Sequence, residues 1–285
     1  MIEIVIAARR KDLGGGLEVG RILPFAQRRM VGPFVFLDHM GPADFAPGEG
    51  IDVRPHPHIG LSTVTYLFEG ELLHHDSLGT VQPIVPGEVN WMTAGRGIVH
   101  SERTRADIRA QGTRMDGIQA WVALPAEAED RLPAFTHIDA GALPRLDAGG
   151  VTGTLIAGTL DGLCAGVATS PLFYAHLEMA PGARFVLSDE HPERAVYVAQ
   201  GAITVEEQTF AAGQMVVFGS GVAVFESRGP ARVMILGGEP LGLRHIWWNF
   251  VSSRPERIEQ AKADWRAGRM ALPPSDAAEF IPLPE

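Results

Sequence analysis

Two pairs of residues have the types and spacing of metal ligands: His56 and His58 in RPHPHIG, and His100 and Glu102 in RGIVHSE. Successive side chains of a β-strand point to opposite faces, so residues i and i+2 share a face. Two such strands across a small barrel would bring three imidazoles and one carboxylate to a single interior point. That donor set suits a divalent first-row metal. A lone H-x-H is as easily a pair of surface-loop histidines, and a second pair at the same spacing argues against that reading. Three histidines and a carboxylate would leave up to two positions open on an octahedral ion, and open positions separate catalytic sites from closed structural ones.

Other residues are weaker candidates. His74, His75 and Asp76 form a polar cluster, but neighbours on a strand face opposite ways, so a structural or turn role is expected of them. Asp38 and His39 precede Gly41-Pro42; they either hold the mouth of the site, with Asp38 fixing a ligand imidazole, or simply make a turn. Gln119, in GIQAWVALP, either points an amide into the cavity or is satisfied by backbone. Arg96 reads as a turn residue, and His137, His176, His191 and His245 lack partners at ligand spacing. The single cysteine, Cys164, reads as a small buried apolar residue. The glycine run at 14–16 precedes no helical pattern and makes a poor phosphate cradle.

The elements that must position these residues are short. Runs rich in Val, Ile, Phe and Thr at 31–37, 61–68, 89–92, 117–124, 173–179, 195–198 and 215–218 lie between glycines and prolines, and many short strands so punctuated indicate a sandwich or barrel. Ile2, Ile4 and Ile6 alternate as one face of a further strand. A helical stripe comes only near the end, where Ser253 and Glu256 form a capping-box pattern, Pro255 sits in the first turn, and Ile258, Ala261 and Trp265 line one face up to Gly268. The apolar run at 246–251 before it should be buried.

An internal repeat appears when glycines are aligned: YLFEGEL with YVAQGAI, and PGEVNWMTAG with AGQMVVFGSG. A repeat of this size predicts two similar barrels from one duplicated unit. Residues 1–130 would form the metal-binding barrel. Residues 131–285 would hold the rest of a linker spanning 124–150, a second barrel and the C-terminal helix. Counting from the glycines, Leu187 and Asp189 match His56 and His58, and Glu226 and Arg228 match His100 and Glu102. Leucine cannot ligate and arginine would repel a metal, so the second barrel is expected to be metal-free.

Composition bounds the rest. With 285 residues, 46% apolar and 20% charged, the chain is globular and can bury a large core. A net charge of −10 with no basic run argues against direct binding to nucleic acid. One cysteine fits a reducing compartment. No apolar stretch approaches the ~20 residues of a membrane helix. A cytoplasmic protein, with no membrane partner, is expected.

The stretches LDHMGP, RPHPHIGLSTVTYLFEGELLHHDSLG, PGEVNWMTAGRGIVHSE and WWNFVSSRPERIEQAKADW together resemble the pirin family of two-domain cupins over nearly the whole chain. The resemblance implies an all-β bicupin: two antiparallel jelly-roll barrels packed face to face, with a C-terminal helix. It implies an N-terminal iron site whose ligands match His56, His58, His100 and Glu102. Fe(2+) is the expected metal, with Mn, Co, Ni, Cu and Zn also compatible with these donors. General cupins carry a glutamate shortly after H-x-H; Leu61, Ser62 and Thr63 stand there here, so Glu102 would supply the carboxylate, as in pirins. The implied activity is that of a quercetin 2,3-dioxygenase, an oxidoreductase that opens a flavonol ring with dioxygen and releases carbon monoxide. A small aromatic or enol substrate is expected, and Glu102 would accept its hydroxyl proton as the catalytic base. The alternative is an iron-dependent, redox-responsive regulatory protein acting through a protein partner.

Overall fold

The computed structural model describes residues 1–12 and 18–284; the glycine run at 14–16 lies outside the described residues. It is mostly β, and the described residues form two α-helices, Ala106–Gln111 and Pro255–Arg266. The strands make antiparallel jelly-roll barrels, each built from one large and one small sheet.

One compact unit comprises Met1–Arg10, Gly20–His39 and Gly141–Pro240. Its large sheet runs Ile2–Ala7, Gln214–Phe218, Glu193–Gln200, Ala231–Gly238, Leu172–Met179, Val151–Leu160 and Arg145–Ala148. Its small sheet runs Arg184–Leu187, Ala223–Ser227, Ala202–Val205 and Gln208–Ala211. Val196, Val198, Val216, Phe218, Phe225 and Val233, all on paired strands, lie in its core.

The other unit comprises Lys11–Val19, Met40–Ala140 and Leu241–Glu285. Its small sheet runs Asp52–His58, Ile98–Arg103, Leu72–Asp76 and Val81–Ile84. The associated large sheet begins Ala134–Ile138, Val89–Thr93, Leu61–Glu69, Thr113–Ala123 and Phe34–Phe45. Both small sheets thus place their strands in the same order, first, last, second, third, as a duplicated barrel requires.

A single cut at residue 130 does not describe these units. The alternating Ile2–Ala7 strand pairs with Gln214–Phe218, which carries the N-terminus into the unit built mainly from the second half. The helix Pro255–Arg266 buries Ile258, Ala261 and Trp265 against Ile59, Val99 and Phe250, so the C-terminal segment belongs with the histidine-bearing sheet. The stretch expected as a linker is also partly strand: Ala134–Ile138 pairs with Val89–Thr93, and Arg145–Ala148 pairs with Val151–Leu160. Its prolines fall between these strands, where no ladder donor is needed.

Local details differ in two further places. The helix has Arg254 rather than Ser253 as N-cap, with no side-chain cap. Glu129 accepts the Ser253 N–H instead, and the hydroxyl of Ser252 accepts that of Arg254. In the 246–251 run Phe250 and Val251 are buried, whereas Trp247 and Trp248 remain partly exposed. Cys164 is exposed rather than buried, on the short strand Leu163–Ala165 that hangs off the sheet edge.

Candidate metal centre

The strand Asp52–His58 alternates proline with histidine, and Pro55 and Pro57 can donate no backbone hydrogen bond. Such a strand belongs at a sheet edge, and it lies at the edge of its sheet. Its one hydrogen-bonded neighbour in that sheet is Ile98–Arg103, with His56 opposite His100 and His58 opposite Ile98. The i, i+2 spacing and this register together carry three imidazoles to one place: His56, His58 and His100 each offer a ring nitrogen within 4.8 Å of the others. The His56 and His100 rings are 4.4 Å apart centre to centre, and Trp121 meets His58 edge-on at 5.1 Å. Ile98, two residues before His100 on the same face, joins Met92, Ala94 and Phe135 in an apolar cluster.

No Glu102 oxygen is among the atoms that lie within 4.8 Å of one another. The register shifts between His100 and Glu102, so that Glu102 stands opposite Val53. The extra residue lies in Asp52–His58, whereas Ile98–Arg103 keeps an unbroken register with Leu72–Asp76, so Glu102 stays on the strand face of His100, opposite His74. Burial alone pushes the Glu102 carboxyl up to about 7.

The hydrogen-bond polarity of the histidines decides what the cluster can do. Nδ1 of His56 lies 2.9 Å from the carbonyl oxygen of Arg54, and Nδ1 of His58 lies 3.2 Å from that of Asn249. A carbonyl only accepts, so both rings carry their proton on Nδ1 and present a bare lone pair at Nε2. Nδ1 of His100 faces Nδ1 of His74 at 3.5 Å. The Nε2 atoms of His58 and His100 then approach to 3.1 Å. With both nitrogens bare the lone pairs repel unless a cation is shared between them, whereas a proton on Nε2 of His100 makes the contact a hydrogen bond to His58. A second proton on either ring is disfavoured: His58 and His100 are 1% and 2% exposed. Burial, followed by the charge of neighbouring histidines, holds both well below the ordinary histidine range. Burial likewise lowers His56 to about 4. Neutral imidazoles with their Nδ1 atoms engaged and Nε2 atoms convergent fit a divalent metal.

Comparison with known proteins gives the family. The family model described as Pirin matches residues 16–122, and that of the Pirin C-terminal cupin domain matches 174–271. A pirin-like protein of Caulobacter vibrioides is 58% identical over the full length of both chains. The chain belongs to the pirin family. Among solved structures, a quercetin 2,3-dioxygenase from Acinetobacter baumannii aligns with a TM-score of 0.91 at 33% identity, covering 99% of this chain and 95% of that one. A second structure with the same description aligns at 0.88 and 26% identity, covering 95% and 98%. The pirin barrels are therefore of cupin type.

Several other residues behave differently from expectation. Asp38 and His39 belong to the other compact unit, where Arg21 donates to both Asp38 oxygens at 2.9 and 2.8 Å and His39 meets the Tyr197 hydroxyl at 2.8 Å. The Gln119 amide oxygen accepts from Thr65 at 2.9 Å, so that acceptor is already used. His137 is not without partners: Asn90 engages its Nδ1 at 2.7 Å, and Glu88 and Asp139 lie 3.6 Å from its Nε2. His176 pairs with Glu178 and His191 with the Thr159 carbonyl.

His74 and Asp76 are more than a turn. They share a face of Leu72–Asp76, His74 opposite Glu102 and Asp76 opposite His100, while His75 turns away to Ser275. The signal was present in their i, i+2 spacing, the same as that of the ligand pairs. The Asn249 carbonyl, 191 residues from His58, carries no sequence signal at all.

The counted equivalences in the second half also move. Matching strands by pairing and by inward face puts Phe185 opposite Phe225 where His56 faces His100, and Leu187 opposite Ala223 where His58 faces Ile98. Ser227, two residues after Phe225, then stands for Glu102. Counting from glycines had chosen Leu187, Asp189, Glu226 and Arg228; for the second pair that is a slip of one residue, which turns a side chain to the other face. Two phenylalanine rings 5.4 Å apart occupy the position of the imidazoles.

Proposed function

We propose that this pirin is a mononuclear metal-dependent dioxygenase of the quercetin 2,3-dioxygenase type, with His56, His58 and His100 as ligands and Glu102 as carboxylate partner. The convergence of three buried imidazoles, with Nε2 of His58 and of His100 3.1 Å apart, is the observation that carries this reading. A bound first-row ion, Fe(2+) by family resemblance, would supply Lewis acidity and the electronic contact with dioxygen that oxygenation needs. The chain supplies the rest. The carbonyls of Arg54 and Asn249 orient two of the imidazoles. Ile98, on the strand face of His100, packs with Met92 and Phe135 in an apolar cluster that would limit water. Glu102, with a carboxyl poised at about 7, would accept the flavonol hydroxyl proton near neutral pH. Quercetin and dioxygen would give the ring-opened ester and carbon monoxide. The 33% identical quercetin 2,3-dioxygenase structure supports this choice of substrate.

The test is oxygen uptake by anaerobically iron-loaded protein over a panel of flavonols and other enols. Uptake coupled to carbon monoxide release is expected, and Glu102→Gln should lower it by the ~10²–10⁴-fold typical of a lost general base. Loaded wild-type protein that consumes no oxygen with any of them would favour the regulatory reading, in which the same centre reports iron redox state to a protein partner. Normal turnover by Glu102→Gln would remove Glu102 from the base role.

A further inference from the structure

Two of the three cluster histidines rest on backbone carbonyls, which can only accept. His100 rests on another imidazole, and a neutral imidazole nitrogen is donor or acceptor according to its tautomer. Something must therefore decide the tautomer of His74, and Asp76 is in position to do so. Its Oδ2 lies 3.1 Å from Nε2 of His74, and its Oδ1 accepts the backbone N–H groups of Leu78 at 2.9 Å and Thr80 at 3.1 Å. His74 is 5% and Asp76 0% exposed. Phe135 stacks on the His74 ring at 4.6 Å and 25°, which fixes the plane of the relay.

We propose that Asp76 and His74 are positioning residues that set the ring tautomer of His100 and so present its Nε2 lone pair to a divalent metal. The inference rests on reading the three histidines as a metal centre and is independent of the substrate. An ionised carboxylate is acceptor-only, so His74 carries its proton on Nε2 and turns a lone pair at Nδ1 toward His100. His100 is then held as the Nδ1–H form with Nε2 bare. At 3.5 Å the link between the two rings is at the outer limit of a hydrogen bond. A cation on Nε2 would make Nδ1–H a stronger donor, and the carboxylate at the far end would make His100 a more basic ligand.

Asp76→Asn separates this role from the fold. Its amide oxygen can keep the Leu78 and Thr80 N–H bonds, while its NH₂ faces His74 and cannot accept. His74 must then hold its proton on Nδ1, and two donors confront each other unless His100 moves its own proton to Nε2, where it blocks a metal. The experiment titrates metal-free protein with cobalt(II) against a competing chelator, and reads the His100 ring nitrogens by ¹⁵N NMR without metal. Asp76→Asn and His74→Phe should each weaken cobalt binding by the ~10–100-fold typical of lost outer-shell partners. The double variant should be no worse than His74→Phe, because Asp76 acts only through His74. In Asp76→Asn the His100 proton should shift from Nδ1 toward Nε2. His74→Gln, which keeps an acceptor, should recover part of the affinity, and the outward-facing His75→Gln should bind as wild type does.

Wild-type affinity in folded Asp76→Asn, losses that multiply in the double variant, or an unchanged His100 tautomer would each overturn the dyad while leaving the metal centre standing. Wild-type protein that binds no cobalt would overturn both. Should His74→Phe fail to fold, Asp76→Asn and the NMR tautomer decide alone.

Discussion

Three buried neutral histidines make the metal-free protein sensitive to acid before any carboxylate in the ordinary range titrates. His56 is lowered to about 4 and His58 and His100 lie well below their ordinary value, all chiefly through burial. A histidine whose folded pKa is depressed binds its proton in the unfolded chain first, so stability falls as pH drops below the unfolded value near 6.5. Between about pH 7.5 and about pH 5.5 a histidine that stays neutral in the folded chain costs about 1.4 kcal/mol, and three that do so cost about 4 kcal/mol. Glu102 opposes them, because its carboxyl is raised to about 7 and takes up its proton in the folded chain first. Over the same interval it returns about 2 kcal/mol, leaving a net loss of about 2 kcal/mol. His75 is lowered too, but it is partly exposed and screened, and adds little. Urea unfolding of chelator-treated protein, followed by tryptophan fluorescence at the two pH values, measures the difference. Glu102→Gln removes the opposing contribution, so its loss should rise to about 4 kcal/mol. Stability that is flat, or that increases toward acid, in both proteins would refute the reading of the cluster as three neutral imidazoles.

Elemental analysis after desalting should give about one divalent ion per chain, lost in His58→Ala, because removing one imidazole dismantles the donor set. Two ions per chain, one surviving His58→Ala, would show that the second unit binds metal despite Phe185, Leu187, Phe225 and Ser227 in the equivalent positions. Gly60 has φ +67°, and a Cβ there would press on the Val251 carbonyl oxygen. Gly60→Ala should destabilise by about 2 kcal/mol or more. It should also weaken cobalt binding, since the displaced segment includes the Asn249 carbonyl that holds His58. Thermal unfolding and metal titration both indistinguishable from wild type would contradict this coupling.

The shared facing of His56 and His58 was legible in the sequence because a strand's period of two is a local rule, and His100 joins them through the strand register. The duplication was legible in its turn glycines, and the helix Pro255–Arg266 in the spacing of Ile258, Ala261 and Trp265. Which residues meet across strands is set by register, and one extra residue changes it. The extra residue that shifts the pairing between Val53 and His56 is invisible in VRPH, and a slip of one residue separated Phe225 from the counted Glu226. The groups that make the imidazoles into lone-pair donors come from further off still. A backbone carbonyl at Asn249 has no residue type to betray it, and His74 and Asp76 became partners of His100 only when the neighbouring strand paired in one register. The sequence by itself determined the donor types and their local facing, because these follow from side-chain chemistry and backbone period. Tertiary structure alone decided which groups face each ring nitrogen, because this depends on which distant backbone and side-chain partners folding brings beside it.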